Sequence, residues 1–240
     1  PRWWLHLFNI TIIFALVYLA LFPGLGNFAG VLGWTQEKQY EEEMAAATAA
    51  QESVFARFRE MDAEALQADA AAMETAGRLF RQNCAMCHGS DGRGATGFPN
   101  LADGDWQWGG SHEQIMFTLQ NGRVAAMPSW EAPLGEDGVK EVVAYVQQIS
   151  GQEADAQLAS AGQARFQMFC SACHGMDGTG NQALGAPNLT DDVWLYGSDA
   201  QTIEYALRNG RNGQMPAFGE SLSEERRKLL AAYVKSLSDS

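Results

Sequence analysis

The four cysteines of this 240-residue chain lie in two copies of one short pattern, and none is left over. The copies are Cys84-Ala85-Met86-Cys87-His88 and Cys170-Ser171-Ala172-Cys173-His174. A histidine directly after the second cysteine is the attachment pattern of a c-type haem. Two thiols about one helical turn apart can add to the two vinyl groups of one haem, and the next side chain then reaches the iron. The sequence therefore predicts two covalently bound haem c groups, with His88 and His174 as iron ligands.

Two other interpretations of the cysteines are weaker. The two pairs could bind one tetrahedral zinc ion, but each pair carries its own histidine, which gives more ligands than a four-coordinate site accepts. A disulfide framework is also disfavoured, because the chain is not dense in cysteine. Haem attachment remains the interpretation that uses every cysteine and both adjacent histidines.

An internal repeat surrounds the two motifs and extends well beyond them. From Pro99 and Pro187 onward the two copies align without a gap. The matched positions include Pro99-Asn100-Leu101 with Pro187-Asn188-Leu189, Trp106 with Trp194, Asn121-Gly122-Arg123 with Asn209-Gly210-Arg211, and Met127-Pro128 with Met215-Pro216. We therefore expect two equivalent domains, each of which encloses one haem within its own helices.

The second iron ligand is expected to be a methionine. A thioether is a soft axial ligand for haem iron, although a methionine in an apolar segment more often fills a core. Met127 and Met215 recur at the same repeat position, and no other methionine does. This recurrence favours them as iron ligands, with Met127 in the repeat of His88 and Met215 in the repeat of His174.

The N-terminal segment has the properties of a membrane anchor. Residues 3–22 are almost wholly apolar and long enough to span a bilayer, and no acidic residue precedes Glu37. The segment has no clear cleavage site of a signal peptide. Arg2 before it and the acidic chain after it favour a cytoplasmic N-terminus with both haem domains outside. Because the sequence does not begin with Met, we expect a processed or truncated start.

The repeat resembles two tandem class I cytochrome c domains. The resemblance implies small all-α domains, in which an N-terminal helix crosses a C-terminal helix and a loop methionine binds the iron. It also implies that the carbonyl groups of Pro99 and Pro187 accept hydrogen bonds from the iron-bound imidazoles, which would orient the rings. Trp106 and Trp194 could contact a haem propionate or simply pack on the haem.

The expected organisation is therefore all-α: one transmembrane helix, a helical linker and the two cytochrome domains. Between the anchor and the first haem motif the chain is rich in Ala, Glu and Gln and has few helix breakers, which predicts helices. The expected boundaries are 1–26 for the anchor, 27–69 for the acidic linker, 70–149 for the first domain and 150–240 for the second.

The whole chain is similar to the dihaem subunit III of cbb3-type cytochrome c oxidases. The similarity rests on the two haem motifs, the acidic linker, Pro1-Arg2-Trp3-Trp4, Pro23-Gly24-Leu25-Gly26-Asn27 and Gly33-Trp34-Thr35. It implies a subunit of the bacterial inner membrane with periplasmic haem domains. Such a subunit passes electrons from a cytochrome c or the cytochrome bc1 complex toward a monohaem subunit and a haem-copper catalytic subunit. Members of this family often have another upstream transmembrane helix, and no nucleic-acid partner is expected.

The remaining residues limit the chemistry. Of the four histidines, only His6 and His112 are not assigned to haem, and no cysteine remains. A copper-haem oxygen site cannot be assembled from them, so we expect oxygen reduction to take place in partner subunits. A free-standing dihaem carrier and an electron-accepting subunit of a periplasmic dehydrogenase remain alternatives. A dihaem peroxidase or gas sensor would need an open iron position, which the Met-Pro pair in both repeats disfavours.

Overall fold

The computed structural model describes residues 1–24 and 26–238, so that Leu25, Asp239 and Ser240 lie outside the described residues. The elements in chain order are α1 (Arg2–Leu21), α2 (Gln36–Arg59), α3 (Ala63–Ala68), α4 (Ala70–Asn83), α5 (Ala85–His88), α6 (His112–Asn121), β1 (Arg123–Met127), α7 (Glu131–Ile149), α8 (Ala156–Phe169), α9 (Ser171–His174), α10 (Ala200–Asn209), β2 (Arg211–Met215) and α11 (Glu224–Ser238). The predicted all-α class is confirmed, with one short two-stranded ladder in addition. The chain forms two compact units, Pro1–Arg57 and Phe58–Ser240.

The first unit contains the predicted anchor helix. Helix α1 has 20 residues and a mean hydropathy of 2.0, which makes it long and apolar enough to cross a membrane. After α1 the backbone turns back on the helix end, where the Val31 N–H donates to the Ala20 carbonyl at 2.9 Å. The Phe22 and Trp34 rings meet edge to face at 5.6 Å between centroids. Helix α2 then begins after Thr35, whose hydroxyl accepts from the Lys38 N–H at 3.0 Å.

The end of the expected linker belongs to the second unit instead. Phe58 is 3% exposed and Leu66 is fully buried, although both lie within residues 27–69. Asp69 caps the N-terminus of α4, because its side chain accepts from the Ala72 N–H at 2.9 Å. Helix α3 packs against α11. Helix α3 therefore packs on the second unit and buries the apolar side chain of Leu66 there.

Two hydrophobic cores hold the second unit together. The first core consists of Phe80, Ile115, Leu119, Leu222, Leu230, Ala231 and Val234. The second core consists of Leu134, Val139, Val142, Val143, Tyr145, Val146, Phe166, Cys170, Ile203 and Leu207. Each core draws on both repeats: the first combines α4 and α6 with α11, and the second combines α7 with α8 and α10.

This arrangement differs from the expectation that each repeat packs its own helices. The aromatic contacts at the two helix crossings show that helices of one repeat pack against helices of the other. Phe80 of α4 meets Tyr233 of α11 at 5.4 Å between ring centroids, and Tyr145 of α7 meets Phe166 of α8 at 5.2 Å. Helices α7 and α8 are joined by a short connection, residues 150–155. A short connection favours packing between sequential neighbours, which explains why α7 pairs with the helix that follows it.

The ladder of β1 and β2 carries the chain from one core to the other. The strands are antiparallel, and their register places Arg123 opposite Met215 and Met127 opposite Arg211. Helix α6 of the first core leads into β1, and β1 leads into α7 of the second core. Strand β2 runs the opposite way, from α10 to α11. The crossing therefore exchanges the C-terminal halves of the two repeats.

Candidate haem-binding sites

Each attachment motif lies at a helix end that continues directly into a single short helical turn. Cys84 ends α4, where its N–H donates to the Phe80 carbonyl at 2.8 Å, and the His88 N–H donates to the Cys84 carbonyl at 2.9 Å. The second motif repeats these bonds, with 2.9 Å between the His174 N–H and the Cys170 carbonyl. The turn brings both cysteines and the histidine of each motif close together, as attachment of one haem to two thiols requires.

Both motif histidines are buried and oriented by a backbone carbonyl. His88 is 8% exposed and His174 is 9% exposed. The His88 Nδ1 lies 2.9 Å from the Pro99 carbonyl oxygen, and the His174 Nδ1 lies 3.1 Å from that of Pro187. When Nδ1 donates its proton to the carbonyl, the opposite nitrogen, Nε2, is free to bind a metal. Burial lowers the pKa of His174, which favours the neutral imidazole that a metal ligand needs.

Glycines close the loop behind each histidine. The Gly94 N–H donates to the His88 carbonyl, and the Gly180 N–H donates to the His174 carbonyl, each at 2.8 Å. Both glycines have positive φ, 68° and 86°. A Cβ on Gly94 would lie 2.3 Å from the Phe98 carbonyl oxygen, so no larger residue fits there. The loop therefore fixes the backbone on both sides of the imidazole.

The first thiol of each pair, on Cys84 and on Cys170, is not activated by the folded chain. Burial, and then the neighbouring Cys87, raise the pKa of Cys84 to about 11. Burial and Cys173 likewise raise the pKa of Cys170 to about 11. Both thiols are therefore protonated at neutral pH, whereas the thiolate is the reactive form. The chain thus supplies the donors for a haem c, a buried imidazole and two adjacent thiols, at each of two sites.

The predicted methionines lie on strands, not on loops, at opposite ends of the ladder. Met215 packs against the first core, which contains Phe80 and adjoins Cys84. Met127 packs against the second core, which contains Cys170. Each methionine therefore packs against the core that adjoins or contains a cysteine of the other repeat's attachment motif.

The two predicted tryptophans pack against different hydrophobic cores. Trp106 packs against the first core and Trp194 against the second. The Trp194 indole N–H donates to the Asp191 carbonyl at 3.1 Å, so its one donor is occupied within the chain. For Trp194 the structure therefore favours packing over hydrogen bonding to a propionate. The Trp106 indole lies against Gly110, where a Cβ would be 2.4 Å from its nitrogen.

Two arginines that sequence reasoning did not single out as site residues are the first residues of the two strands of the ladder. Arg123 has its guanidinium 4.8 Å from the Trp108 ring centroid and 4.6 Å from that of Phe117. The guanidinium of the equivalent Arg211 lies 4.2 Å from the Tyr196 ring centroid and 4.8 Å from that of Tyr205. Arg211 Nε has no hydrogen-bond partner among the residues that the structure describes. The repeated Asn-Gly-Arg sequence was the signal, because a partly buried cation at both sites can neutralise a carboxylate such as a haem propionate.

A cleft of about 300 Å³ lies between loops of the two repeats. Side-chain amides bridge these loops in both directions. Gln107 Nε2 donates to the Gly185 carbonyl at 2.6 Å, and Gln182 Nε2 donates to the Trp106 carbonyl at 2.8 Å. The loops around the two candidate sites are therefore joined to each other as well as through the ladder.

Comparisons with known proteins agree with this arrangement of motifs. The family described as "Cytochrome C oxidase, cbb3-type, subunit III" matches residues 71–146 and 157–234, and the N-terminal domain of cytochrome oxidase-cbb3, FixP, matches residues 1–29. The cbb3-type cytochrome c oxidase subunit CcoP of Rubrivivax gelatinosus is 47% identical over 239 residues, which are 99% of this chain and 78% of the relative. Subunit CcoP of Cereibacter sphaeroides is 38% identical, over 99% of this chain and 88% of the relative. Subunit FixP of Azorhizobium caulinodans is 37% identical, over 99% and 87%. With two family matches in tandem and relatives aligned along nearly its whole length, the chain belongs to the family of subunit III of cbb3-type cytochrome c oxidases.

Proposed function

We propose that this chain is the dihaem electron-transfer subunit of its oxidase. It receives electrons from a cytochrome c or the cytochrome bc1 complex and passes them toward the monohaem and haem-copper catalytic subunits. The observation that carries this proposal is the duplicated site, in which a buried histidine beside a Cys-x-x-Cys pair donates to a proline carbonyl. A bound haem c supplies a reversible one-electron couple at each site.

The residues of the chain would serve this role by orienting the histidines that would hold the haem and by excluding water. Pro99 and Pro187 fix the rings of His88 and His174 through their carbonyl groups, so that each imidazole would hold a haem iron in one orientation. The apolar cores beside both motifs exclude water and so favour the less charged form of the site. We assign oxygen reduction to a partner subunit, since His112 is the one uncommitted histidine outside the anchor.

The anchor helix gives the proposed location. Helix α1 is apolar over its length and carries Arg2 at its start. The positive-inside rule then places the N-terminus in the cytoplasm and both haem sites in the periplasm of a bacterial inner membrane. Haem attachment at the motifs and electron delivery by a periplasmic donor both require this orientation.

Loss of one haem site in the assembled oxidase tests the proposal. In the complex purified from membranes, replacing Cys84 and Cys87 by Ala should remove one covalent haem and lower cytochrome c-driven oxygen consumption at least tenfold. Oxygen consumption driven by a small reductant that reaches the catalytic subunit directly should stay near the unmodified rate. The amount of haem-copper subunit in the preparation serves as the assembly control. An unchanged cytochrome c-driven rate would contradict the proposed electron path, and purification without any haem-copper subunit would favour a free-standing carrier.

A further inference from the structure

We propose that the segment after α1 is a second membrane-embedded element, which contacts phospholipid acyl chains beside the end of the anchor helix. We name its described residues, 22–24 and 26–34, the return loop. This inference rests on the proposed location, in which α1 spans the membrane. It extends the part of the chain that contacts lipid beyond the helix, and it does not depend on haem at either motif.

Hydrogen bonds hold the return loop against the last turn of α1. The Val31 N–H donates to the Ala20 carbonyl at 2.9 Å. The Leu32 N–H donates to the Leu21 carbonyl at 3.1 Å. Because Val31 and Leu32 bond directly to the last two helical residues, they lie at nearly the same depth as the end of the span.

These bonds satisfy backbone groups that a helix end otherwise leaves open. The last carbonyls of an α-helix have no partner within the helix. Water can satisfy them in solution, whereas hydrocarbon cannot, so an open carbonyl is costly inside a bilayer. The return loop occupies the carbonyls of Ala20 and Leu21 with its own N–H groups. The end of α1 can therefore lie among acyl chains with these two carbonyls satisfied by the chain itself.

The side chains of the return loop also suit contact with lipid. Val31 is 76% exposed, Leu32 is 57% exposed and Phe28 is 49% exposed. No Asp, Glu, Lys or Arg lies between Arg2 and Glu37. A cluster of exposed apolar side chains without charge marks a surface that contacts lipid or protein. Continuity with α1, which has no buried residue along its length, favours lipid.

Aromatic rings mark the end of this surface that faces water. Tyr18 stacks on Phe22 at 4.8 Å between ring centroids, and Phe22 meets Trp34 edge to face. The Trp34 indole N–H donates to the Gln39 side chain at 2.9 Å, so its polar atom is directed to the start of α2. Tyr and Trp are enriched where a membrane meets water. These contacts place the boundary between lipid and water near Trp34.

Spin labels on the assembled oxidase test this placement. Val31→Cys is labelled with a nitroxide, and the complex is reconstituted into vesicles of phosphatidylethanolamine and phosphatidylglycerol. Oxygen, which concentrates in lipid, should relax the label more strongly than a water-soluble nickel complex does. A label at Leu16→Cys, within α1, should give the same order, and one at Glu41→Cys, in α2, should give the opposite order. The unmodified chain controls for labelling of its own cysteines.

Two results at Val31 would overturn the proposal. Stronger relaxation by the nickel complex would place the return loop in water. Weak relaxation by both reagents, with an immobilised label, would place it against another subunit. The Leu16 label distinguishes the two levels of the argument: the order found in water at Leu16 would contradict the span itself, whereas lipid at Leu16 with water at Val31 would contradict the return loop alone.

Gly30 offers a variant that should move the return loop. It has a φ of 73°, and a Cβ there would lie 2.5 Å from the Leu21 carbonyl oxygen. With the label at Phe28→Cys, Gly30→Ala should therefore weaken relaxation by oxygen and strengthen that by nickel. Gly33→Ala is the matched control, since Gly33 also has positive φ but its Cβ would meet no described atom within 4 Å. Equal shifts in the two variants would contradict the proposal, because the loop would then not be held against α1.

A measurement on the unmodified chain covers the case in which these variants do not assemble. A phospholipid with a photoreactive diazirine in its acyl chain should attach to residues 28–32 as well as to α1. The acidic residues 41–43 of α2 should carry none of this lipid. Fragmentation of the peptides in a mass spectrometer locates the attached lipid. Attachment along α1 without any in residues 28–32 would overturn the proposal.

Discussion

At the scale of single residues, the crossing of α7 and α8 depends on the absence of a side chain at one position. A Cβ on Gly162 would lie 2.0 Å from the Glu141 carbonyl oxygen and 2.9 Å from the Tyr145 Cβ. Because backbone cannot move aside cheaply, Gly162→Ala should lower the free energy of unfolding by about 1–3 kcal/mol. Denaturant unfolding of the haem-loaded protein measures this loss.

Gly77 provides the control for that substitution. It lies in α4 at the other helix crossing, where a Cβ would be 3.5 Å from both the Arg81 and Tyr233 side chains, an ordinary contact. Gly77→Ala should leave stability unchanged or raise it by about 0.5–1 kcal/mol, because alanine favours the helix. Equal losses of unfolding free energy in Gly162→Ala and Gly77→Ala would mean that the helices are equally close at the two crossings.

At the scale of elements, Arg208 ties α10 to α7. Its guanidinium donates to Glu131 at 2.8 Å and to both oxygens of Glu136 at 3.0 and 2.8 Å, and it also bonds Glu204 of its own helix. Bonds to Glu136 and then to the other carboxylates raise the pKa of Arg208, and those to Arg208 lower the pKa of Glu136. Arg208→Gln should therefore lower the thermal midpoint at neutral pH, and added salt should reduce the difference.

Acid should remove the difference in thermal midpoint between Arg208→Gln and the unmodified chain. A carboxyl group with a lowered pKa in the folded state stabilises the fold above its ordinary pKa, here 4.5 for Glu136, and loses this effect as the pH falls below that value. The thermal midpoints of Arg208→Gln and of the unmodified chain should therefore converge as the pH falls through the lowered pKa of Glu136. Arg78→Gln is the matched control, because its ion pair with Glu74 is exposed and lies within one helix. A drop in Arg78→Gln as large as that in Arg208→Gln would show that the link between helices has no special effect.

At the scale of the whole molecule, the haem-bearing unit begins before the first cytochrome repeat. A chain that starts at Ser53 keeps Phe58, Leu66 and the Asp69 cap, whereas one that starts at Ala70 loses all three. Burial of two large apolar side chains is worth about 1.5–3 kcal/mol each, so the shorter chain should be less stable by about 3–6 kcal/mol. Guanidinium unfolding followed by haem absorbance compares them. Equal stability of the two chains would mean that residues 58–69 do not stabilise the second unit and belong to the linker. In the longer chain, Leu66→Ala should lower the free energy of unfolding by an intermediate amount.

Much of the site follows from the sequence because it is local or covalent. The spacing of Cys84, Cys87 and His88 determines a single helical turn, and the structure forms that turn in both repeats. Pro99 and Pro187 lie 11 and 13 residues beyond the histidines, and the resemblance to class I cytochrome c domains predicted the hydrogen bonds that their carbonyls accept. The anchor helix follows from a long, almost wholly apolar run, which can be recognised without knowledge of its contacts.

Only the tertiary structure decided which halves of the repeats pack together. Both repeats carry the same apolar pattern, so the sequence of α7 allows it to cover either α4 or α8. The short connection to α8 and the ladder between β1 and β2 select one of these arrangements, and the sequence does not show the ladder. Burial of Leu66 against the last helix depends on the same choice. A repeated sequence determines the kinds of contact a chain makes, whereas the path of the chain between the repeats determines which copies make them.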